Sequence, residues 1–228
     1  MNARRILPKP QRAAFTLIEL LTVIAIIVIL MSLLMTAIQG AKDQARRADA
    51  SATVRNIVNA CKSYANDYGK FPPVASGGNI YSFGDPGKGS FTNNNSDLFN
   101  VLRSISATVN SGYVLNKRQQ KYFEGPKAKD LTNPRSGFTD GNGYAGSQPQ
   151  GCLMDPWGTQ YCVVLDATGN DEIAATDIQT FYSDLDIVRM SAISFSLGKD
   201  GIRGGKGYEG QYRKPGSSQA PDDILSWQ

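Results

Sequence analysis

The chain has 228 residues, of which 41% are hydrophobic and 19% are charged, a length that allows one or two domains. Its formal charge is +4, but the four cations of residues 1–14 supply the whole excess and the remainder is balanced. This distribution excludes the basic surface of a typical nucleic-acid-binding protein. The chain has no histidine, and therefore lacks the commonest general base and the commonest zinc ligand. We expect neither a nucleic-acid partner nor an enzyme.

Residues 15–38 form an apolar run that contains a single charge, at Glu19. A helix of this length spans about 36 Å, enough to cross a bilayer core of about 30 Å. The cations before the run predict a cytoplasmic N terminus. An ordinary signal anchor or a secretory signal peptide is the alternative, although the apolar region of a secretory signal has only about 7–15 residues.

Glu19 is the unusual feature of this run, because a carboxylate at the centre of a bilayer costs about 2.5–3.5 kcal/mol or more. Cleavage after Ala14 would create a compensating cation, the α-amine of Phe15. This amine could pair with Glu19 within one helix or between neighbouring, staggered helices. The second arrangement would convert a membrane anchor into an assembly signal.

The segment from Ala14 to Glu19 reads Ala-Phe-Thr-Leu-Ile-Glu, with a basic leader before it and the apolar run after it. It resembles the class III leader and N-terminal helix of type IV pilins and type II secretion pseudopilins. The resemblance implies cleavage between Ala14 and Phe15 by prepilin peptidase and methylation of the new amine. It also implies that Glu19 drives filament assembly.

The segment after the apolar run carries a stripe typical of a helix packed against a core. Its members recur at spacings of three and four: Ala50, Val54, Ile57, Cys61, Tyr64 and Tyr68. No proline lies between Phe15 and Tyr68, and Gly69 supplies a stop. We predict one helix over 15–68, with a separate soluble helix after a membrane span as the alternative. The expected domains are a cleaved leader (1–14), a transmembrane and filament-core helix (15–39) and a periplasmic pilin-like domain (40–228).

The middle of the chain is rich in turn residues. Residues 74–96 contain many Gly, Asn and Ser and predict a loop. Ser96 or Asp97 is expected to cap a short helix with an apolar side. Residues 117–150 are polar and are predicted to be mostly loop.

The sequence Asp-Pro-Trp-Gly at 155–158 favours a tight turn. Residues 161–165 then predict a strand, 166–173 an acidic turn into a second strand, and 193–197 a third strand. The turn resembles the Asp-Pro-Trp-Gly-x-x-Tyr signature that opens the sheet of major pseudopilins, and we interpret Trp157 as structural. The resemblance implies an α+β, pilin-like fold: a long N-terminal helix packed on a small antiparallel sheet, with extended loops.

The C-terminal segment contains a candidate ion site. Residues 196–201 (Ser-Leu-Gly-Lys-Asp-Gly) and the later Asp222-Asp223 pair resemble the calcium loop of major pseudopilins. A Gly-rich loop that is poor in apolar residues cannot order itself by burial, whereas Ca²⁺ with about 6–8 oxygen ligands would close it. A solvated surface loop is the alternative. The candidate ligands are three carboxylates and, more weakly, a hydroxyl and a backbone oxygen: Asp200, Asp222, Asp223, Ser196 and Leu197.

Two other features have open interpretations. A rival acidic cluster fits a hairpin turn better than a metal site: Asp166, Asn170, Asp171 and Glu172. Cys152 and Cys162 flank the Asp-Pro-Trp-Gly turn and could be bridged in an oxidising periplasm, although a simple two-residue hairpin would not place them opposite each other. Cys61 lies on the apolar stripe and fits a small core residue.

Together these features predict a subunit of a type II secretion pseudopilus-like filament, assembled from the bacterial inner membrane for protein export. The expected partners are further copies of the chain, prepilin peptidase, minor pseudopilins and the inner-membrane assembly platform. A type IV pilin or minor pilin for adhesion, motility or DNA uptake is the alternative within the family. A membrane-tethered periplasmic enzyme or binding module is the alternative outside it.

Overall fold

The computed structural model describes residues 16–72, 78–84, 91, 93–141, 149–178, 181–183, 185–204 and 222–227. The helices are α1 (Leu17–Tyr68), α2 (Asn95–Leu102) and α3 (Ala175–Ile178), with a 3-10 segment at Thr108–Tyr113. The strands are β1 (Ile80–Phe83), β2 (Gly137–Phe138), β3 (Leu153–Met154), β4 (Cys162–Asp166), β5 (Ala192–Ser196) and β6 (Ile224–Leu225). This is the predicted α+β architecture. The chain divides into two compact units, residues 1–45 and 46–228.

In the first unit, α1 is apolar and solvent-exposed. Its large apolar side chains from Leu17 to Ile38 are between 39% and 89% exposed. Within the described part of the chain, α1 is the one helix long and apolar enough to cross a membrane, judged by length and composition alone. The predicted start of the helix at Phe15 lies outside the described residues.

In the second unit, the stripe on α1 is buried as predicted. Ala50, Val54, Ile57 and Cys61 are fully buried, and burial raises the pKa of the Cys61 thiol to about 12. The helix ends at Tyr68 as predicted, because Gly69 adopts a φ of +72° and its N–H bonds to the Ala65 carbonyl at 2.7 Å.

Four strands form an antiparallel sheet in the order β1-β4-β5-β6, and β2 pairs with β3 separately. The central strand β4 is buried on both faces: Val163 and Leu165 pack in one core cluster, Cys162 and Val164 in another. The predicted strands at 161–165 and 193–197 are therefore confirmed as β4 and β5. The mostly loop character of 117–150 is also confirmed for its described residues, 117–141 and 149–150, apart from β2.

Three sequence predictions are wrong. Strand β1 lies within the predicted loop 74–96, where it pairs with β4. The predicted second strand within 166–173 does not form; Ile173 makes an isolated bridge to Val188, and α3 follows. Helix α2 begins before Ser96 and Asp97, with Asn94 at its N-cap position, where the Asn94 side chain makes no capping hydrogen bond.

Candidate functional site

The start of α1 is closed by a reciprocal hydrogen-bonded pair. The Glu19 carboxylate accepts bonds from the Thr16 N–H at 2.9 Å and the Thr16 hydroxyl at 2.7 Å. The Glu19 N–H in turn donates to the Thr16 hydroxyl oxygen at 3.3 Å. This is a capping box, in which a Thr and a Glu three residues later satisfy each other's backbone donors.

The capping box gives Glu19 a partner that the sequence prediction overlooked. The Thr-x-x-Glu spacing at 16–19 was the available signal. The predicted cleavage and methylation residues, Ala14 and Phe15, lie outside the described residues. The carboxylate is thus held at the first turn of an exposed apolar helix by its own chain.

The Asp-Pro-Trp-Gly turn is organised by Asp155. Its Oδ1 accepts hydrogen bonds from the backbone N–H groups of Trp157, Gly158 and Thr159 at 2.7–2.9 Å. Its Oδ2 accepts from the hydroxyls of Thr159 and Ser196, both at 2.6 Å. The Asp155 side chain is fully buried. Its two oxygens accept hydrogen bonds from five donors of the same chain.

Trp157 packs where the turn meets the core, in keeping with its interpretation as structural. It is half-buried against the first core cluster, and its indole N–H is buried without an acceptor among the described residues. The signal for Asp155 was its place at the first position of the turn, where Asp side chains bond to backbone N–H groups further on.

The candidate calcium ligands divide into two groups. The first group is the three carboxylates of Asp200, Asp222 and Asp223, and the second is the Ser196 hydroxyl with the Leu197 backbone oxygen. Asp222 Oδ2 accepts from the Asp200 N–H at 2.9 Å, which brings the two ends of the C-terminal loop together. The Cα of Gly198 lies so close to this segment that an added Cβ would stand 2.3 Å from the Asp222 carbonyl oxygen. The Ser196 hydroxyl donates to Asp155 Oδ2 at 2.6 Å and accepts from the Gly198 N–H at 3.2 Å.

Asp223 is the buried member of the first group. Its Oδ2 accepts from the Tyr182 hydroxyl at 2.8 Å and the Gly204 N–H at 2.7 Å. Its Oδ1 is buried and accepts no hydrogen bond from a described residue. Burial raises the pKa of Asp223 to about 7; the two hydrogen bonds oppose this rise, and the charges of Asp222 and Asp200 add to it.

The carboxylates therefore fit a hard cation in chemistry and in charge. Ca²⁺ prefers oxygen ligands, and an opposite charge would relieve both the buried oxygen of Asp223 and its repulsion from Asp222 and Asp200. Among the described residues, however, no three His, Cys, Asp or Glu side chains are already assembled as a metal site. Calcium binding stays a prediction.

The rival acidic cluster forms a turn. The Asp166 carboxylate accepts bonds from the N–H and hydroxyl of Thr168 at 2.7 and 2.6 Å, and from the Asp171 N–H at 3.0 Å. Burial of Asp166 opposes ionisation, but these hydrogen bonds, with one from Gly169, lower its pKa. The carboxylate is thus held by the turn itself.

Cys152 and Cys162 are both buried thiols with no bond between their sulfurs in the described structure. The Asn95 side chain is inserted into the hairpin between the two cysteines. The Asn95 amide donates to the carbonyls of Leu153 and Tyr161 at 2.9 and 3.0 Å, and its oxygen accepts from the Leu153 N–H at 3.0 Å. The bridge between Met154 and Gln160 and the bond from the Tyr161 N–H to the Leu153 carbonyl set a register in which Cys152 and Cys162 lie opposite each other.

Comparison with known proteins identifies one motif. Residues 9–35 match the family described as the prokaryotic N-terminal methylation motif. Neither the curated proteins nor the solved structures include a match. The matched segment contains the predicted cleavage site. It also contains Thr16, Glu19 and most of the exposed apolar run. The chain therefore carries the leader of a type IV pilin-like protein, which implies processing by prepilin peptidase and assembly into a filament.

Proposed function

We propose that this chain is a structural subunit of a type II secretion pseudopilus-like filament. In this proposal the chain is cut between Ala14 and Phe15, N-methylated, and assembled from the inner membrane for protein export. The observation that carries the proposal is the exposed apolar part of α1, which holds one carboxylate, Glu19, at its first turn. Such a surface requires lipid or neighbouring helices to cover it.

Glu19 is proposed to exchange partners on assembly. In the single chain its carboxylate is satisfied by Thr16. After cleavage, the α-amine of Phe15 on an adjoining subunit would offer a full positive charge, whereas the Thr16 N–H and hydroxyl are uncharged donors, so the exchange would add a Coulombic attraction to the hydrogen bond. The local pair therefore lowers the cost of Glu19 in the membrane without competing strongly against assembly.

A pseudopilin is favoured over other pilins by two features of the second unit. The turn organised by Asp155 and the acidic residues Asp200, Asp222 and Asp223 both resemble features of major pseudopilins. We propose that the latter three hold calcium, which would close the C-terminal loop. A type IV pilin or minor pilin shares the N-terminal motif and is the alternative; retractile surface pili would favour it, whereas loss of protein export on deletion would favour the pseudopilus.

The test replaces Glu19 by Ala in the full chain, expressed in cells with its own assembly machinery. We expect normal accumulation and cleavage in the membrane, with at least a tenfold loss of sedimentable polymer. Glu124→Ala, which removes an exposed acid in a loop, is the matched control and should assemble normally.

Mass spectrometry of the native N terminus completes the test, with N-methylated Phe15 as the expected first residue. A chain that retains residues 1–14 and never polymerises would contradict the proposal. A tethered enzyme or binding module would show no effect of Glu19→Ala on its state of assembly.

A further inference from the structure

The loop that follows α2, residues 104–116, contains no charged residue although most of it faces solvent. Eleven of its thirteen residues are exposed or half-buried. Val114 is 56% exposed, and Tyr113 beside it is half-buried. Among the described residues of the second unit, Ile187 is the other exposed large apolar side chain, and it follows the charged Asp186. The Val114 loop thus lacks charge and presents Tyr and Val together, a composition typical of the core of a protein interface.

A buried asparagine holds the Val114 loop in one shape. The Asn110 amide donates to the Ile105 carbonyl at 3.0 Å, and its oxygen accepts from the N–H groups of Leu115 and Asn116, both at 3.2 Å. Tyr113 has a φ of +59°, a conformation that a bulky residue adopts only where its surroundings impose it. Because the loop is already ordered, it would lose little conformational freedom on docking.

The same unit contains a cleft of about 180 Å³ beside α1. On α1 it is lined by Asp49 and Thr53. Its other lining residues include three large side chains that are almost fully buried: Phe123, Leu153 and Tyr161. The cleft therefore offers mainly apolar and aromatic surface at a point where α1 borders solvent.

The loop and the cleft lie at different levels along α1. The Tyr64 hydroxyl donates to the Leu115 carbonyl at 2.6 Å, which fixes the Val114 loop beside the end of the helix. Thr53 precedes Tyr64 by eleven residues, or about 16 Å of helix. The loop therefore does not fill the cleft of its own subunit. A parallel copy shifted along α1 by about this distance would bring its cleft level with the loop.

The proposed filament supplies parallel, shifted copies of the chain. Pairing of Glu19 with the Phe15 amine of an adjoining subunit would set neighbouring α1 helices side by side with an axial offset. Because α1 also lines the cleft, a contact there would continue the interface that its exposed apolar part begins. A contact between two unlike surfaces leaves one of each free at the ends. Such a contact extends into an open helical polymer when its rotation does not close a ring.

We propose that the Val114 loop of one subunit docks in the cleft beside α1 of a second copy of this chain. The inference rests on the proposed filament and specifies a contact made by the second units. Removal of the apolar surface of Val114 and Tyr113 from water would stabilise this contact.

The first test is a disulfide cross-link in the full chain, assembled by its own machinery and treated with a mild oxidant. The variant D49C/V114C places one thiol at the cleft and one on the loop. Asp49 precedes Tyr64 by fifteen residues, about 22 Å of helix, whereas the Cα atoms of a disulfide are about 4.4–6.8 Å apart. The bond should therefore form between subunits. We expect a ladder of dimers, trimers and longer species on a non-reducing gel, because each subunit links to two others.

Three controls accompany this cross-link. Each single variant can link at most two subunits, so neither should give a ladder. The wild type should give no cross-link, because its three cysteines are buried. V114C/I187C is the matched pair, since it joins the loop to the other exposed apolar position, and it should give no ladder.

The second test is Val114→Asp, which would bring a carboxylate into a mainly apolar cleft that already contains the acid Asp49. We expect about tenfold less sedimentable polymer from this variant. Ile187→Asp makes the same change at the other exposed apolar side chain and should assemble like the wild type.

The proposal is overturned if D49C/V114C gives no ladder, if V114C/I187C gives the same ladder, or if Val114→Asp polymerises like Ile187→Asp. Normal polymer with reduced protein export from Val114→Asp would assign the loop to an exported protein and also overturn it. In those cases the wild type still polymerises and Glu19→Ala does not, so the filament role stands. Absence of polymer from the wild type would instead contradict the filament role itself.

Discussion

The turn at Asp155 and the C-terminal loop at Asp223 use the same chemical group in opposite ways. Both carboxylates are buried. Both oxygens of Asp155 are satisfied by five donors, three backbone N–H groups and two hydroxyls, from residues 157–159 and Ser196. Only one oxygen of Asp223 has donors among the described residues, and burial raises the pKa of the Asp223 carboxyl group to about 7.

The difference separates a structural carboxylate from a candidate ligand. A buried charge is stable only when it is paired or hydrogen-bonded. Asp155 meets this condition with its own chain and needs no ion. Asp223 meets this condition with only one of its oxygens, and the neighbouring Asp222 and Asp200 add negative charge to the same place. A bound cation would satisfy the second oxygen and offset this charge.

The largest expected effect comes from Asp155→Ala. Five donors lose their acceptor, and each buried unsatisfied group costs about 1–3 kcal/mol. We expect a loss of at least about 4 kcal/mol in the free energy of unfolding, measured by thermal and denaturant unfolding of the full chain in detergent. Since total stabilities are about 5–15 kcal/mol, much of the chain should fail to accumulate folded.

Asp155→Asn is the matched control for that change. Its oxygen would still accept from the three backbone N–H groups, and the hydroxyls of Thr159 and Ser196 can rotate to accept from its NH₂ group. It should therefore lose clearly less stability than Asp155→Ala. Equal losses would contradict the assignment of the backbone bonds as the main contribution.

The second largest expected effect is the stabilisation of the wild-type chain by calcium. At a free concentration 100 times the dissociation constant, the gain would be about 2.7 kcal/mol. Asp223→Asn and Asp200→Ala should abolish the shift in thermal midpoint. Asp171→Asn, an exposed acid outside this site, should retain it. If neither calcium nor a chelator shifts the thermal midpoint of the wild type, the proposed calcium site is contradicted.

The elements that the sequence predicted are those with local causes. The stripe on α1 and its end at Gly69 follow from spacing and from one left-handed residue. Strand β4 follows from a short apolar run after a turn. Thr16 and Glu19 could have been found in the same way, because their bonds span only three residues.

The elements that it missed depend on distant partners. Strand β1 lies in a segment rich in Gly and Asn, and it exists because it pairs with β4 about 80 residues later. Asn94 stands at the N-cap of α2 but makes no side-chain cap, and its Oδ1 instead accepts from the Gln160 amide at 2.9 Å. Ser196 lies close to Asp200 in sequence, yet its partner Asp155 is 41 residues away.

Ser196→Ala tests whether the Ser196 hydroxyl belongs to the Asp155 turn or to the candidate calcium site. It removes one of two donors to Asp155 Oδ2, and a hydrogen bond to a charged group contributes about 1.5–3 kcal/mol. We expect a loss near the lower value, about 1.5 kcal/mol, while the calcium-induced shift of the thermal midpoint is unchanged. Loss of the calcium shift would instead show that the hydroxyl serves the metal, as the sequence first suggested.

Asp166 offers the smallest and most general check, because its turn resembles that of Asp155 but follows the end of the central strand β4. Burial opposes its ionisation, yet the bonds from Thr168, Gly169 and Asp171 lower its pKa in the folded chain. A lowered folded pKa contributes stability that is fully present above the ordinary carboxyl pKa of about 3.9 and is lost as the pH falls through the folded value. The wild type should therefore exceed Asp166→Asn in stability at neutral pH, and the difference should shrink on acidification. Unfolding of both chains across that range measures it; a difference independent of pH would mean that the geometry of the turn, and not the charge of Asp166, is what stabilises it.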